Sequence, residues 1–122
     1  MSHIETHQNG HILEIKVNRP EKHNALSAAL VNELITQLAA LGKQSVRAVV
    51  LRSQPGAKVW SAGHDVTELP TDGRDPLGWD DPLRHVIREI ENFPAPVIAM
   101  IEGTVWGGAC EMSFACDVIV AT

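Results

Sequence analysis

The chain has 122 residues, which is the size of one domain with a single hydrophobic core. Hydrophobic residues make up 44% and charged residues 20%, close to ordinary globular usage, so disorder and repetitive fibrous structures are excluded. Ten Lys and Arg against fifteen Asp and Glu give a net charge of −5, which argues against nucleic acid as the main partner, because phosphate backbones are bound by concentrated positive charge.

Cysteine content and hydropathy predict the cellular setting. Cys110 and Cys116 are too few for the disulfide framework of a small secreted domain, so a reducing, cytoplasmic compartment is expected. Residues 1–15 carry polar His and Glu side chains in place of an apolar signal core, and the longest apolar stretches are too short to span a bilayer. No membrane partner is therefore expected. Histidines 3, 7 and 11 fall in a predicted hairpin, so no metal site is expected either.

The first elements predicted along the chain are a β-hairpin, a helix and a strand. Asn9 and Gly10 are typical of a tight hairpin turn, because both tolerate positive φ, and alternating apolar residues flank them. Apolar residues then recur at helical spacing over residues 30–41. They predict one face of a helix, and Ser27 can cap that helix. A short apolar run at residues 48–51 predicts a strand buried on both faces.

Residues 53–79 are rich in proline and glycine, and they predict a long loop with one helical turn near residues 66–69. Long loops in compact domains usually bind a ligand or partner. Asp80, Asp81 and Pro82 indicate the start of a second helix, because Asp can cap and Pro fits the first turn, and Pro94 and Pro96 end it. The remaining predicted elements are a buried strand at 97–101, a glycine turn, a short helix at 109–115 and a strand at 118–121. This order predicts right-handed crossovers and an α/β fold.

Two strand-to-loop junctions place small residues where the backbone can approach a ligand. The first is residues 61–65 (SAGHD), and the second is residues 103–111 (GTVWGGACE), which follows the strand at 97–101. Ligand sites of α/β sheets lie at the carboxyl ends of strands. The second junction leads into a helix whose unpaired N–H groups favour negative charge. Two backbone N–H groups aimed at one point from these junctions form an oxyanion hole.

Together with residues 18–26 (NRPEKHNAL), these two motifs resemble the enoyl-CoA hydratase/isomerase, or crotonase, superfamily. The three motifs match the family in order and approximate spacing, and the likeness runs along essentially the whole chain. The resemblance implies an α/β fold, a crotonase-like spiral of ββα units. Residues 1–122 would form the amino-terminal part of a single such domain, incomplete at the carboxyl end. The resemblance also implies that a full-length form assembles as a homotrimer or hexamer.

The resemblance implies roles for individual residues. The amides of His64 and Gly108 would bind the thioester oxygen of an acyl-CoA, where charge develops as an enolate forms. The nucleotide end of CoA would lie along Lys22, His23 and Ala25. The pantetheine and thioester would lie along the two junctions, at Ala62, Gly63, His64, Asp65, Val66, Gly107 and Gly108.

Within the family the likeness is closest to decarboxylases, which implies conversion of methylmalonyl-CoA to propionyl-CoA. Loss of CO₂ from such a substrate needs no base, because orientation of the carboxylate and stabilisation of the enolate supply most of the rate. No cofactor is implied, since CoA is part of the substrate. Hydration or isomerisation of an enoyl-CoA is the alternative, and a non-catalytic CoA-binding fragment is a third interpretation.

Side chains near the two junctions allow more than one interpretation. Glu111 matches the acid/base glutamate of the family's hydratases, and a buried structural carboxylate is the other interpretation. For His64 the backbone amide is the expected contributor, with the imidazole lining the pocket. Asp65 is expected to cap the turn that follows it. A flavodoxin-like phosphate site at Gly107 and Gly108 is disfavoured, because Glu111 would bring a carboxylate beside the phosphate.

Overall fold

The computed structural model describes residues 2–42, 44–74 and 78–122. Within these ranges the chain forms a five-stranded sheet, a separate pair of short strands and three α-helices. The strands are β1 (Ile4–Asn9), β2 (Ile12–Val17), β3 (Ala48–Ser53), β4 (Val59–Ser61), β5 (Val97–Ile101), β6 (Thr104–Val105) and β7 (Val118–Ala121). The helices are α1 (Ala28–Leu41), α2 (Pro82–Glu91) and α3 (Gly108–Ala115), and single 3-10 turns lie at Pro20–Lys22 and Val66–Glu68.

The main sheet has the strand order β1-β2-β3-β5-β7. β1 and β2 form the antiparallel hairpin predicted at Asn9 and Gly10, and the other neighbouring strands run parallel. Parallel neighbours need a crossover connection. Helix α1 lies between β2 and β3 in the chain, α2 lies before β5, and α3 lies before β7. The predicted α/β class is therefore confirmed.

Helix α1 begins and ends where its sequence pattern predicts. The Ser27 hydroxyl accepts a hydrogen bond from the Leu30 amide at 3.2 Å, which satisfies one unpaired donor of the first turn. Gly42 follows the last helical residue. The apolar face of α1 packs against α2 and joins the single core that the buried sheet residues form.

Burial along β3 differs from the prediction. Val49 and Leu51 are buried, whereas Val50 and Arg52 between them are half-buried. Successive side chains of a strand point to opposite faces. One face of the sheet therefore packs against the core, and the other is less covered than a strand buried on both faces requires.

The loop predicted over residues 53–79 contains a strand that the sequence pattern did not indicate. This strand, β4, pairs in parallel with β6. Trp60 of β4 is 2% exposed, and its indole N–H donates a hydrogen bond to the Met100 carbonyl oxygen at 2.9 Å. Strands of three and two residues are too short to show a hydrophobic period. The helical turn at Val66–Glu68 is as predicted, and residues 75–77 of the loop lie outside the described ranges.

Candidate active site

The two predicted junctions lie against each other, and Gly63 makes their close approach possible. Gly63 has φ +87°, and a Cβ atom placed on it would lie 2.5 Å from the Trp106 carbonyl oxygen and 3.2 Å from the Gly108 nitrogen. These neighbours are backbone atoms, which cannot rotate away as a side chain can. Only glycine combines the positive φ with an approach this close.

The amide nitrogens of His64 and Gly108 are brought side by side by this packing. A Cβ atom at Gly108 would lie 3.6 Å from the His64 nitrogen. Gly108 is the first residue of α3, so its N–H has no acceptor within the helix. In the described part of the chain, neither amide donates a hydrogen bond to a protein acceptor. Both donors therefore remain available for a ligand oxygen.

The backbone at Leu26, in the segment of residues 18–26, holds His64 from one side. The Leu26 amide donates to the Gly63 carbonyl oxygen at 2.7 Å, and the Asp65 amide donates to the Leu26 carbonyl oxygen at 3.4 Å. This pattern is a parallel bridge between Leu26 and His64. In such a bridge the bonded groups belong to the residues on either side of His64, and the His64 N–H points away from Leu26.

The Asp65 carboxylate fixes the turn that follows His64. It accepts hydrogen bonds from the Thr67 amide at 3.0 Å and the Thr67 hydroxyl at 2.6 Å, and it contacts the Arg19 guanidinium at 3.0 Å. These interactions, first those with Thr67 and then those with Arg19, hold the pKa of Asp65 below its usual value. The predicted capping role of Asp65 is confirmed, and the ion pair with Arg19 is an addition to it.

The lowered pKa of Asp65 predicts a pH-dependent contribution to stability. An ionised carboxylate with a lowered folded-state pKa contributes stability that is fully present above the unfolded pKa and lost as the pH falls through the folded pKa. We expect the free energy of unfolding of Asp65→Asn to fall less steeply than that of the wild type between about pH 5 and pH 2. Urea unfolding over this range measures both slopes, with Asp80→Asn, which removes an exposed carboxylate, as the control. Parallel slopes for Asp65→Asn and the wild type would contradict the prediction.

The imidazole of His64 contacts the N-terminus of α2. His64 Nε2 lies 3.1 Å from Asp81 Oδ2, and the two side chains are only 19% and 12% exposed. Asp81 Oδ1 accepts a hydrogen bond from the Leu83 amide at 2.9 Å, so Asp81 caps α2 as the sequence predicts. The contact with His64 was not predicted, because it joins residues far apart in the chain and leaves no local pattern.

A cleft of about 270 Å³ opens beside these groups. Its lining consists of Leu26, Ala28, Val31, His64, Glu68, Asp81, Pro82 and Leu83. The volume is slightly below the range of about 300–1,000 Å³ that is usual for drug-sized ligands. A cleft of this volume holds a small group and not a whole nucleotide.

Comparisons with known proteins identify the family of this chain. Residues 7–122 match the family model of enoyl-CoA hydratase/isomerase. The chain belongs to the enoyl-CoA hydratase/isomerase family. It is 50% identical over 107 residues to methylmalonyl-CoA decarboxylase of Escherichia coli (strain K12), an alignment that covers 88% of this chain and 41% of that relative. It is also 40% identical over 113 residues to the mitochondrial enoyl-CoA hydratase domain-containing protein 2 of Homo sapiens, covering 90% of this chain and 38% of that relative.

A solved structure of a related protein has the same fold as this chain. Methylmalonyl-CoA decarboxylase complexed with 2S-carboxypropyl CoA matches this family member with a TM-score of 0.95 and 44% sequence identity, over 99% of this chain and 46% of that chain. The predicted crotonase-like α/β fold is therefore confirmed. The chain spans about two fifths of the length of the curated relatives it matches. In the described part of this family member, no helix is both long and apolar enough to cross a membrane.

The residues that the family resemblance assigns to CoA differ in exposure: Gly63 and Asp65 are buried, and His64 and Gly108 are half-buried. Lys22 and His23 are exposed, and Ala25 is half-buried. The Ala62 amide donates a hydrogen bond to the His23 carbonyl oxygen at 3.0 Å, which joins the first junction to residues 18–26. Ala62 and Val66 are exposed as well.

Glu111 lies in the first turn of α3, and its side chain is exposed. The interpretation of Glu111 as a buried structural carboxylate is therefore wrong. Its place is three residues beyond Gly108, at the same end of the helix. An exposed carboxylate there is compatible with contact to a ligand held at the junction, and its role in this family member stays a prediction.

Both cysteines and two of the three tryptophans lie outside the fully buried core. Cys110 and Cys116 are half-buried, and burial, followed by the charge of Asp117, raises the pKa of the Cys116 thiol to about 11. Cys116 is therefore a protonated thiol at neutral pH and not a nucleophile. Trp60 is a core residue, whereas Trp106 is 62% exposed beside the second junction. Trp79 is 74% exposed, with the Arg88 guanidinium 4.4 Å from its ring centre.

Proposed function

We propose that this chain binds an acyl-CoA thioester and stabilises its enolate with the backbone amides of His64 and Gly108. The observation that carries the proposal is the placement of these two amides side by side, with His64 lining a small cleft and with no protein acceptor for either amide in the described part of the chain. Negative charge moves onto the thioester oxygen as an enolate forms. Fixed donors at that oxygen stabilise the transition state more than the substrate, and the loss of one typically costs about 3 to 4 kcal/mol.

The reaction we propose is decarboxylation of methylmalonyl-CoA to propionyl-CoA. The 50% identity with the Escherichia coli methylmalonyl-CoA decarboxylase supports this choice. The bond between the α-carbon and the carboxylate breaks, CO₂ leaves, and the electron pair of that bond moves into the thioester to form the enolate. A proton is then delivered to the α-carbon. The cleavage needs neither a base nor a cofactor, because a carboxylate held perpendicular to the thioester plane already aligns the breaking bond with the carbonyl.

The contact of the His64 imidazole with Asp81 favours a role for the backbone amide of His64 over a role for its side chain. His64 Nε2 is held by the Asp81 carboxylate at 3.1 Å, so that nitrogen is occupied within the protein. General acid catalysis requires a side-chain proton within hydrogen-bond reach of the reacting atom. The amide of His64 is the group that remains free for the thioester oxygen.

A second candidate function is hydration or isomerisation of an enoyl-CoA. The observation in its favour is the exposed Glu111 in the first turn of α3, three residues after Gly108. A glutamate at that place can transfer a proton to or from a substrate bound at the junction. The relative of Homo sapiens named for an enoyl-CoA hydratase domain is consistent with the same candidate.

We extend the proposal to the rest of the CoA and to the complete protein. The nucleotide end of CoA would contact Lys22, His23 and Ala25, and the pantetheine would pass Ala62, Val66 and Gly107. A homotrimer or hexamer is the proposed assembly of a full-length form. The proposed compartment is the cytoplasm, which is supported by the two unpaired cysteines.

Parallel assays with two substrates test the proposed reaction. The chain is incubated with methylmalonyl-CoA and separately with crotonyl-CoA, and CO₂ release, propionyl-CoA and loss of the enoyl absorbance are measured. CO₂ release without hydration is the expected result. Hydration without CO₂ release would contradict decarboxylation and favour the second candidate.

Calorimetric titration with propionyl-CoA separates binding from turnover. Binding in the absence of either reaction would favour a non-catalytic CoA-binding chain. Absence of both binding and turnover would contradict the role of the two amides altogether.

A further inference from the structure

The first turn of α2 touches both of the segments that carry the paired amides. Asp81 reaches His64 through its Oδ2 atom, at 3.1 Å from Nε2. The Leu83 amide donates to Asp81 Oδ1, and the Leu83 side chain lies against Gly108. A Cβ atom placed on Gly108 would be 2.7 Å from Leu83 Cδ2. The N-terminal end of α2 therefore contacts the first junction through the carboxylate of its cap residue, Asp81, and the second junction through the apolar side chain of Leu83.

We propose that Asp81 is a positioning residue that sets the place of the His64 amide relative to the Gly108 amide. The inference rests on the proposed function of these two donors. Gly63, immediately before His64, has φ +87° and the wide conformational freedom of glycine. The peptide plane that carries the His64 N–H therefore needs restraint from both sides. Leu26 supplies one restraint through the backbone bridge, and Asp81 supplies the other through the imidazole.

The contacts of Asp81 show that capping alone does not account for its placement. Its Oδ1 atom is sufficient for the cap on the Leu83 amide, and its Oδ2 atom is directed at His64. The other ring nitrogen, Nδ1, lies 3.4 Å from the Asp65 carbonyl oxygen, a longer contact. A proton on Nε2 therefore satisfies the shorter contact, in either the neutral or the charged imidazole. This bonding orients the ring and holds the residue that carries the amide.

Asp81→Ser separates positioning from capping. Serine caps helices about as well as aspartate, but its side chain is too short to reach His64. We expect Asp81→Ser to lower kcat for CO₂ release about tenfold, with KM changed less than about threefold, because a misplaced donor weakens the transition state more than the substrate. The melting temperature should stay close to that of the wild type. Asp80→Ser, which removes the neighbouring exposed carboxylate, is the matched control and should leave kcat unchanged.

A second variant tests whether Asp81 acts through the imidazole. In a His64→Leu background, which keeps the amide and removes the ring, Asp81→Ser should cause no further loss of kcat. An equal loss in both backgrounds would overturn the proposal, because Asp81 would then act by another route. Unchanged kcat in the single variant Asp81→Ser would overturn it as well.

The side-chain nitrogen spectrum of His64 tests the contact without any substrate. In the ligand-free chain, Asp81→Ser should shift the ¹⁵N resonance of His64 Nε2, and Asp80→Ser should not. An unshifted Nε2 resonance would overturn the positioning contact even if the chain is active. If instead the wild-type chain neither binds propionyl-CoA nor releases CO₂, the proposed function fails, and the catalytic part of this inference fails with it.

Discussion

Replacing Gly108 with proline is expected to lower kcat for CO₂ release about 100- to 1,000-fold, the usual effect of losing one oxyanion donor. Proline has no N–H, and it fits the first position of a helix, where no intrahelical hydrogen bond is lost. Gly108 occupies that position in α3. The substitution therefore removes the amide donor with little change to the helix that carries it.

Gly108→Ala is the control for the added Cβ atom. Alanine keeps the N–H but places the same Cβ atom 2.7 Å from Leu83 Cδ2, the end of a flexible side chain that can move. We expect the alanine variant to keep most of the activity. Equal losses in the two variants would contradict a role for the amide.

Binding measurements separate the same two effects in the absence of turnover. Gly108→Pro should weaken binding of propionyl-CoA more than binding of a thioether analogue, because the analogue has no carbonyl oxygen for the amide to contact. Gly108→Ala should weaken both ligands equally. Calorimetry with the two ligands on the two variants gives the four affinities that this comparison needs.

Gly63→Ala is expected to lower the free energy of unfolding by about 3 kcal/mol and to abolish most of the activity. Alanine at positive φ costs about 1 to 2 kcal/mol. The rest of the loss comes from the Cβ atom, which would lie 2.5 Å from the Trp106 carbonyl oxygen. Relief of that clash would separate the first junction from the second and move the His64 amide away from the Gly108 amide.

Gly56→Ala isolates the contribution of the close approach. Gly56 has φ +79°, near the value at Gly63, but a Cβ atom there would meet nothing within 4 Å. We expect a loss of about 1 kcal/mol for Gly56→Ala, from backbone strain alone, with activity retained. Urea unfolding of both variants measures the difference. Equal losses would show that the approach of Gly63 to the second junction is not tight.

Much of the fold could be predicted because its signals are local. The turn at Asn9 and Gly10 follows from the positive φ that these residues tolerate, and the start of α1 follows from Ser27 and the apolar period that comes after it. The cap at Asp81 is likewise a property of neighbouring residues. Crossovers between parallel strands then follow from the alternation of strands and helices.

The candidate site was predicted in part, from motifs and not from periodicity. The resemblance of residues 61–65 and 103–111 to a known family named His64 and Gly108 as a pair, and the structure places them side by side. Their role with a thioester stays a prediction. The exposure of Glu111 could not be predicted, because a polar residue in an apolar helix is compatible with either a buried or an exposed position.

Local sequence patterns were enough to predict the order of the main elements, the caps of α1 and α2 and the glycines at the two junctions, because each depends on a few adjacent residues. Three features follow from the packing of the folded chain: the pairing of β4 with β6, the approach of the two amides and the contact of Asp81 with His64. These features join residues from separate segments of the chain. Their geometry depends on how the segments pack, and packing is set by the whole core and not by any local pattern.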